Sequence, residues 1–159
     1  MSNPVKLVLS DVDGVLTDGG LYFTEKGDQF KRFQVHDGIG FILLRAAGIK
    51  TGIITSDNLE LIRIRANRIK PDHLYMDVGF EEKLEAAKEI CEIEGFSLEE
   101  VAYIGDDINC IPLLKAVGHP FCPSNAVKAV KSLNGITITE HSGGNGAFRE
   151  IAEVILAMK

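Results

Sequence analysis

The sequence predicts an α/β fold: a doubly wound, Rossmann-like parallel sheet with a small β-hairpin flap and no cap domain. Short apolar runs typical of buried strands alternate with helical segments along the chain, which is the order of a parallel sheet with crossover helices. One insertion near the N-terminus breaks this alternation, and it is too short for a separate lid. We expect a single domain over residues 1–159, a size that suits one hydrophobic core.

The individual elements follow from the positions of the apolar runs. The predicted strands are 6–10, 50–55, 73–76, 101–105, 118–121 and a further short one at 136–139. The predicted helices are 38–47, 59–69, 81–94, 111–117, 125–132 and 147–158. Residues 21–24 and 29–33 flank a turn that contains Gly27 and Asp28, which predicts a hairpin close to the end of the first strand.

Composition and charge exclude several classes of protein. The formal net charge is -6, which argues against nonspecific nucleic-acid binding. Apolar runs fall well short of the ~20 residues of a membrane helix, and the first residues lack a secretion-signal pattern. Cys91, Cys110 and Cys122 have no Cys-x-x-Cys spacing, so neither a disulfide framework nor a zinc site is expected. The cytoplasm is the expected location.

An acidic pair, Asp11 and Asp13, follows the first predicted strand and precedes Gly14. Residues two apart on a strand project to the same side, so the two carboxylates emerge together. Buried like charges require a cation or a shared proton, and two such groups can act as nucleophile and as acid/base. An EF-hand is excluded because Val15 and Tyr22 occupy positions that need oxygen ligands. A simple acidic turn remains the alternative.

Other strand ends carry groups suited to the same chemistry. Thr55 and Ser56 end the second strand at a helix start, an arrangement that binds phosphate or forms an ordinary N-cap. Asp106 and Asp107 form a second acidic pair after the fourth strand. Lys83, near the start of the helix before that strand, either reaches inward or is a solvated surface lysine. In parallel sheets these carboxyl ends meet at one edge, where ligands bind.

Together these groups predict phosphoryl transfer assisted by Mg²⁺. A carboxylate that attacks a phosphate dianion meets repulsion, which a cation on oxygen ligands relieves. A lysine and a hydroxyl neutralise the remaining equatorial charge. Each motif is weak alone, and the ordered set is specific.

With these four motifs, Asp11-Val12-Asp13-Gly14, Thr55, Lys83 and Gly105-Asp106-Asp107, the chain resembles the haloacid dehalogenase superfamily of phosphatases. The resemblance implies that Asp11 is the nucleophile and that Asp13 is the acid/base. It also implies that Thr55, the Ser56 amide and Lys83 bind the phosphoryl group. Mg²⁺ is then expected on the Asp11 side chain, the Asp13 backbone carbonyl and Asp106, with Asp107 as an outer ligand or orienting Lys83.

The chain is similar over nearly its whole length to a capless branch, the phosphatases of 3-deoxy-2-ulosonate phosphates, which act on octulosonate 8-phosphate or on nonulosonate 9-phosphates. Four runs carry this likeness: 13–19, 33–38, 101–107 and 143–150. It implies a homotetramer in which a neighbouring subunit closes the site, with a sugar-acid phosphate as substrate. It also implies substrate contacts, namely from Gln34, Val35, His36, Asp37, Gly38, Asp57, Arg65 and Arg68.

Each of these substrate contacts has an ordinary structural alternative. Asp37 can instead cap the following helix, and Arg65 and Arg68, expected to reach the site from a neighbour, can instead lie on a wet helix face. The glycine turn at 143–146 either binds an anion or only positions the last helix.

Two departures bear on the substrate. Ser56-Asp57 replaces the Gly-Arg that usually follows the motif threonine in octulosonate phosphatases, and an acid at this place is more like the nonulosonate enzymes. Cys110 replaces a common aspartate. The reaction is expected to survive both changes, while the sugar stays open.

Two other functions fit parts of the pattern. A phospho-aspartate receiver domain would use the aspartate after the third strand, here Asp77, but receivers lack the second acidic pair. A non-catalytic oligomerisation module, as in sialic-acid cytidylyltransferases, would not need the complete set of motif residues. No role is assigned to His73, His119 or His141.

Overall fold

The structure, a computed structural model, describes residues 3–159 and contains eight strands. Their bounds are Leu7–Ser10 (β1), Tyr22–Phe23 (β2), Gln29–Phe30 (β3), Lys50–Ile54 (β4), His73–Tyr75 (β5), Val101–Ile104 (β6), His119–Cys122 (β7) and Thr137–Ile138 (β8). Six of them form one sheet in the order β5-β4-β1-β6-β7-β8, and every pairing is parallel. The parallel sheet predicted from the alternation is confirmed, with each strand within two residues of its expected bounds.

Helices cover both faces of this sheet. Their bounds are Val35–Ala46 (α1), Glu60–Ile69 (α2), Lys83–Glu94 (α3), Ile111–Ala116 (α4), Lys128–Lys131 (α5) and Ala147–Ala157 (α6), with single 3-10 turns at Leu98–Glu100 and Ile108–Cys110. Val8 packs in one apolar core with α1, α2 and α6, whereas Leu7 and Leu9 pack in a second core with α3, α4 and α5. Successive side chains on a strand point to opposite faces, so a strand buried on both sides reads as a continuous apolar run. This is the doubly wound arrangement.

The strand order reverses at β1, and this reversal positions the site. β1 pairs with β4 on one side and with β6 on the other. The crossovers that leave these strands diverge at such a point and open a crevice beyond the carboxyl ends. Asp11, Thr55 and Asp106 all lie just beyond those ends.

The predicted hairpin is present as β2 and β3, which pair antiparallel with Tyr22 opposite Phe30. A bridge between Thr17 and Phe33 joins its base to the turn after β1. The hairpin therefore lies beside the acidic turn, as expected for a small flap. Within residues 3–159, no helix combines the length and the apolar character needed to cross a bilayer.

Two expectations about helix ends are wrong. α1 begins at Val35 with Gln34 in the N-cap position, so Asp37 lies inside the first turn and does not cap this helix. Gly38, the expected first residue, lies inside α1, where a Cβ would lie 2.9 Å from Arg65 Nη2 of α2. The helix expected over 125–132 is confined to α5, because the chain before it forms a turn in which the Ala126 amide bonds the Pro123 carbonyl.

Candidate active site

A polar cleft of about 240 Å³ opens at the carboxyl ends of β1, β4 and β6. Its lining includes Asp11, Thr55, Lys83 and Asp106, one group from each of the four motifs. Larger hollows lie elsewhere on the surface, such as one of about 650 Å³ near Leu114 and Pro120. Size therefore does not identify the site. The convergence of charged groups does, because buried ionisable groups gathered in a cleft are typical of functional sites.

Asp11 and Lys83 form a buried ion pair at the floor of the cleft. Lys83 Nζ lies 2.9 Å from Asp11 Oδ2, and Lys83 is 2% exposed. The other oxygen, Oδ1, accepts a hydrogen bond of 2.8 Å from the Val12 amide. Burial lowers the pKa of Lys83, but the charge and hydrogen bond of Asp11, together with Cys110 and Asp106, outweigh it and hold that pKa above its ordinary value. The ammonium is therefore charged and directed at Asp11, and the surface-lysine alternative is wrong.

Asp106 is brought against the acidic turn by a glycine. A Cβ on Gly14 would lie 1.9 Å from Asp106 Oδ2, and Gly14 has a φ of 78°, which favours glycine. Burial, followed by the negative charges of Asp11 and Asp107, raises the pKa of Asp106 to about 7. The adjacent carboxylates thus carry more negative charge than Lys83 alone neutralises.

This cluster fits a divalent cation. Oxygens of Asp11 and Asp106 and the sulfur of Cys110 lie within 4.8 Å of one another. Carboxylate oxygens are the ligands that Mg²⁺ prefers, and a cation between them offsets the repulsion that, after burial, raises the pKa of Asp106. Asp107 is exposed and accepts a hydrogen bond from the Ile108 amide, so it caps the short turn that follows.

Cys110 lies directly beside Asp11, the nucleophile candidate. Its thiol donates a 3.2 Å hydrogen bond to Asp11 Oδ2, and Lys83 Nζ lies 3.7 Å from its sulfur. Burial and the charge of Asp11 raise the pKa of this thiol to about 12. Cys110 is therefore a neutral hydrogen-bond donor. Because it carries no negative charge, the ammonium of Lys83 is balanced by Asp11 and Asp106 only among these neighbours.

The Thr55 turn presents polar groups to the same cleft. Thr55 is 1% exposed and its amide bonds the Tyr75 carbonyl, which fixes it at the end of β4. Its hydroxyl accepts from the Asp57 amide at 3.2 Å, while Ser56 is exposed. Because α2 begins only at Glu60, with Leu59 as its N-cap, Thr55 does not cap that helix.

Asp13 is paired with a residue that the motifs do not identify. Lys31, just after β3, has Nζ 2.5 Å from Asp13 Oδ1 and 2.8 Å from Asp57 Oδ2. Burial lowers the pKa of Lys31, but its hydrogen bonds to the two carboxylates outweigh this and raise the pKa above its ordinary value. The sequence offers no signal for this contact, since a single lysine in a short hairpin is usually solvated.

The residues expected to line the sugar pocket lie mostly away from this cleft in the isolated chain. His36 borders a hollow of about 270 Å³ with His141 and Arg149, and Arg65 and Arg68 border another of about 300 Å³. Arg65 Nη2 donates a hydrogen bond of 3.0 Å to the Gln34 carbonyl. Val35 is exposed, whereas Asp37 and Gly38 are buried within α1. Asp57 alone of this group lines the cleft.

The glycine turn at 143–146 packs on the acidic turn. The Gly144 amide donates to the Val15 carbonyl at 3.0 Å, and a Cβ on Gly143 would lie 1.9 Å from the Gly14 oxygen. Asn125 ties both segments together through the Gly14 carbonyl and the Gly143 amide. These contacts favour the positioning role over anion binding.

The receiver alternative does not fit the topology. Asp77 follows β5, which is an edge strand separated from β1 by β4. A phosphorylated aspartate in a receiver belongs beside the acidic pair, and here Asp106 occupies that position.

Comparisons with known proteins agree with the geometry. The model of the haloacid dehalogenase-like hydrolase family matches residues 53–151. The chain is 35% identical over 152 residues to the 3-deoxy-D-manno-octulosonate 8-phosphate phosphatase of Haemophilus influenzae, covering 96% of this chain and 83% of that protein.

Two solved structures have the same fold. That of the 3-deoxy-D-manno-octulosonate 8-phosphate phosphatase from Yersinia pestis has a TM-score of 0.90 and 35% identity, covering 96% of this chain and 81% of that one. The Moraxella catarrhalis phosphatase of the same name, solved with a magnesium ion, a phosphate ion and a KDO molecule, has a TM-score of 0.91 and 32% identity. The alignment covers 98% of this chain and 87% of that one.

Proposed function

Because the chain belongs to the haloacid dehalogenase-like hydrolases, within the family of the 3-deoxy-D-manno-octulosonate 8-phosphate phosphatases, we propose that it removes the terminal phosphate of a 3-deoxy-2-ulosonate sugar acid. Octulosonate 8-phosphate and nonulosonate 9-phosphates are the two candidate substrates. One observation carries the reaction type: Asp11, Lys83 and Asp106 meet in a cleft beside Thr55. The presence of the whole set favours an enzyme over a non-catalytic oligomerisation module.

The reaction proceeds in two displacements at phosphorus. The Asp11 carboxylate attacks the phosphate, the bond from phosphorus to the sugar oxygen breaks, and Asp13 gives that oxygen its proton. Asp13 then takes a proton from water as the water attacks the aspartyl phosphate, which releases inorganic phosphate and restores Asp11. The separate surroundings of the two residues suit these roles, since Asp11 is 5% exposed while the Asp13 side chain is 45% exposed.

The phosphoryl group is held by residues that line the cleft. Thr55 and the Ser56 amide are the proposed hydrogen-bond donors, and Lys83 offsets the negative charge of the equatorial oxygens. The Asp11 side chain, the Asp13 backbone carbonyl and Asp106 are the proposed ligands of Mg²⁺. When bound, Mg²⁺ supplies positive charge that reduces repulsion between the carboxylate and the phosphate.

We further propose that the site is completed in a homotetramer. Arg65 and Arg68 from a neighbouring subunit would then bind the carboxylate of the sugar acid, for which an arginine fork is suited. Residues 34–38 and Asp57 are the remaining proposed sugar contacts. Exposed apolar side chains on and next to the hairpin support subunit contact, with Leu21 75% exposed and Val35 70% exposed.

The whole chain, 1–159, is proposed to be one phosphatase domain without a cap. The cytoplasm is its proposed location, and three free, buried thiols support that assignment.

A panel of phosphate esters tests this function. We expect phosphate release from octulosonate 8-phosphate or a nonulosonate 9-phosphate, its loss on addition of EDTA, and its return with Mg²⁺. Asp11→Asn should be inactive but folded, whereas Asp28→Asn, in the exposed hairpin turn, should match the unmodified protein. Turnover of plain hexose phosphates in preference to sugar acids would reject the substrate class, and activity in Asp11→Asn would reject the nucleophile.

A further inference from the structure

Lys31 is a buried cation for which none of the four motifs accounts. Its side chain is only 5% exposed although it lies on a short surface hairpin. Its ammonium contacts two carboxylates, Asp13 at 2.5 Å and Asp57 at 2.8 Å. Burial of a charged group is costly unless it is paired in this way, so the contacts define where Nζ must lie.

The two carboxylates differ in how firmly the chain holds them. Asp57 Oδ1 accepts a 2.9 Å hydrogen bond from the Leu59 amide, and the Asp57 amide donates to the Thr55 hydroxyl at 3.2 Å. Hydrogen bonds thus hold both the side chain and the backbone of Asp57 in place. The Asp13 side chain is 45% exposed, and besides Lys31 it has only a long contact of 3.4 Å to the Thr17 hydroxyl within residues 3–159.

We propose that Lys31 is a positioning residue for Asp13 and that Asp57 is its anchor, an inference that rests on the proposed function. An acid/base group works only when it lies within hydrogen-bond reach of the leaving oxygen and then of the attacking water. An exposed aspartate samples several rotamers, and an ammonium fixed by Asp57 restricts it to one of them. Residue 57 then influences the chemical step as well as any contact with the sugar.

This role predicts a specific pattern of kinetic loss. A poorly placed acid slows departure of a basic leaving group more than departure of a group that leaves readily without a proton. The matched probes are phenyl phosphate and p-nitrophenyl phosphate, which share a ring and lack any sugar. Because kcat/KM reports the steps up to release of the alcohol, the ratio of its values for the two esters isolates protonation from binding.

The experiment compares Lys31→Met, Lys31→Arg and Asp57→Asn with the unmodified protein. In Lys31→Met we expect the p-nitrophenyl to phenyl ratio of kcat/KM to rise about tenfold, a part of the roughly 10²–10⁴-fold that a well-placed acid/base group contributes. Asp57→Asn should also raise this ratio. Lys31→Arg, which keeps the positive charge, should have a ratio close to that of the unmodified protein. Lys26→Met, an exposed lysine of the same hairpin, is the matched control and should leave the ratio unchanged.

Each other outcome has a defined meaning. An unchanged ratio, with both esters slowed equally, overturns the positioning role and leaves the phosphatase intact. Lack of turnover by the unmodified protein on both aryl esters and on the sugar-acid phosphates overturns the proposed function and this inference with it. If circular dichroism shows that Lys31→Met is unfolded, Asp57→Asn and Lys31→Arg decide, and an unchanged ratio in Asp57→Asn overturns the proposal.

Discussion

The carboxylate of Asp37 accepts a hydrogen bond from the backbone amide of Arg149, with 2.9 Å between Oδ1 and the nitrogen. Asp37 lies in the first turn of α1, and Arg149 lies in the first turn of α6, so one helix supplies the cap of the other. Asp37 is 2% exposed, and within residues 3–159 its second oxygen has no hydrogen-bond partner. Burial raises the pKa of Asp37 to about 6.

This raised pKa predicts a pH-dependent stability. Protonated Asp37 stabilises the fold fully below its unfolded pKa of 3.8, and this contribution is lost as pH rises through the folded value of about 6. The interval corresponds to about 3 kcal/mol. We expect the free energy of unfolding of the unmodified protein, minus that of Asp37→Asn, to fall by about this amount between pH 4 and pH 7.

Urea denaturation at several pH values measures this difference. Asn keeps an oxygen that accepts from the Arg149 amide and carries no titrating charge, so it is the matched variant. A difference that stays constant across the range would show that Asp37 is ionised in the folded protein throughout.

Gly14 is predicted to tolerate no side chain. In Gly14→Ala, the new methyl would lie 1.9 Å from Asp106 Oδ2, so the carboxylate must move, and a φ of 78° adds backbone strain. We expect a loss of stability of about 1–2 kcal/mol or more together with loss of phosphatase activity. Gly27→Ala is the control, because its φ is 87° but nothing lies within 4 Å.

The two glycine variants separate strain from geometry. Gly27→Ala should lose about 1 kcal/mol and keep its activity. Full activity in Gly14→Ala would mean that phosphatase activity does not require the observed position of the Asp106 carboxylate. Thermal unfolding and a p-nitrophenyl phosphate assay are sufficient measurements.

Mg²⁺ is predicted to stabilise the folded protein through Asp106. A ligand that binds only the folded state raises stability by about 2.7 kcal/mol at a concentration 100 times its Kd. We expect Mg²⁺ to raise the thermal midpoint of the unmodified protein and to leave that of Asp106→Asn nearly unchanged. Without metal, Asp106→Asn should unfold at an equal or higher temperature, because it removes the like charge next to Asp11.

Calorimetry with and without EDTA measures both effects. Ca²⁺-free buffer containing Na⁺ at matched ionic strength controls for general screening. Equal stabilisation of both proteins by Mg²⁺ would place the cation elsewhere.

The three thiols are predicted to react slowly in the folded protein. Cys91, Cys110 and Cys122 are buried, and burial raises all three pKa values, to about 12 for Cys110 and about 11 for Cys122. Because the thiolate is the reactive form, Cys122 should react with Ellman's reagent at pH 8 about 100-fold more slowly than in guanidinium, and Cys110 about 1000-fold more slowly. If one thiol of the unmodified protein reacts rapidly and this rapid reaction is lost in Cys110→Ser, Cys110 is instead an activated cysteine beside Asp11.

The principal features of the fold were predictable because they depend on short-range pattern. Apolar runs that alternate with helical segments indicate a parallel sheet, and parallel strands bring all their carboxyl ends to one edge. The motif residues Asp11, Thr55 and Asp106 each follow such a run, so their convergence follows from the order of strands and helices alone. The start of α1 was predicted at residue 38 but lies at Val35, so Gly38, a residue that disfavours helices, stands inside the helix where it meets Arg65 of α2.

The sequence by itself determined the sheet, the hairpin and the residues that meet at the cleft, because strand periodicity and local spacing encode them. Only the tertiary structure decided which partners Lys31 and Asp37 take. Lys31 neutralises Asp13 and Asp57 from two other segments, and Asp37 caps a helix that begins far along the chain. These contacts arise when the elements pack, and the cost of burying an unpaired charge then selects the partner that packing brings within reach.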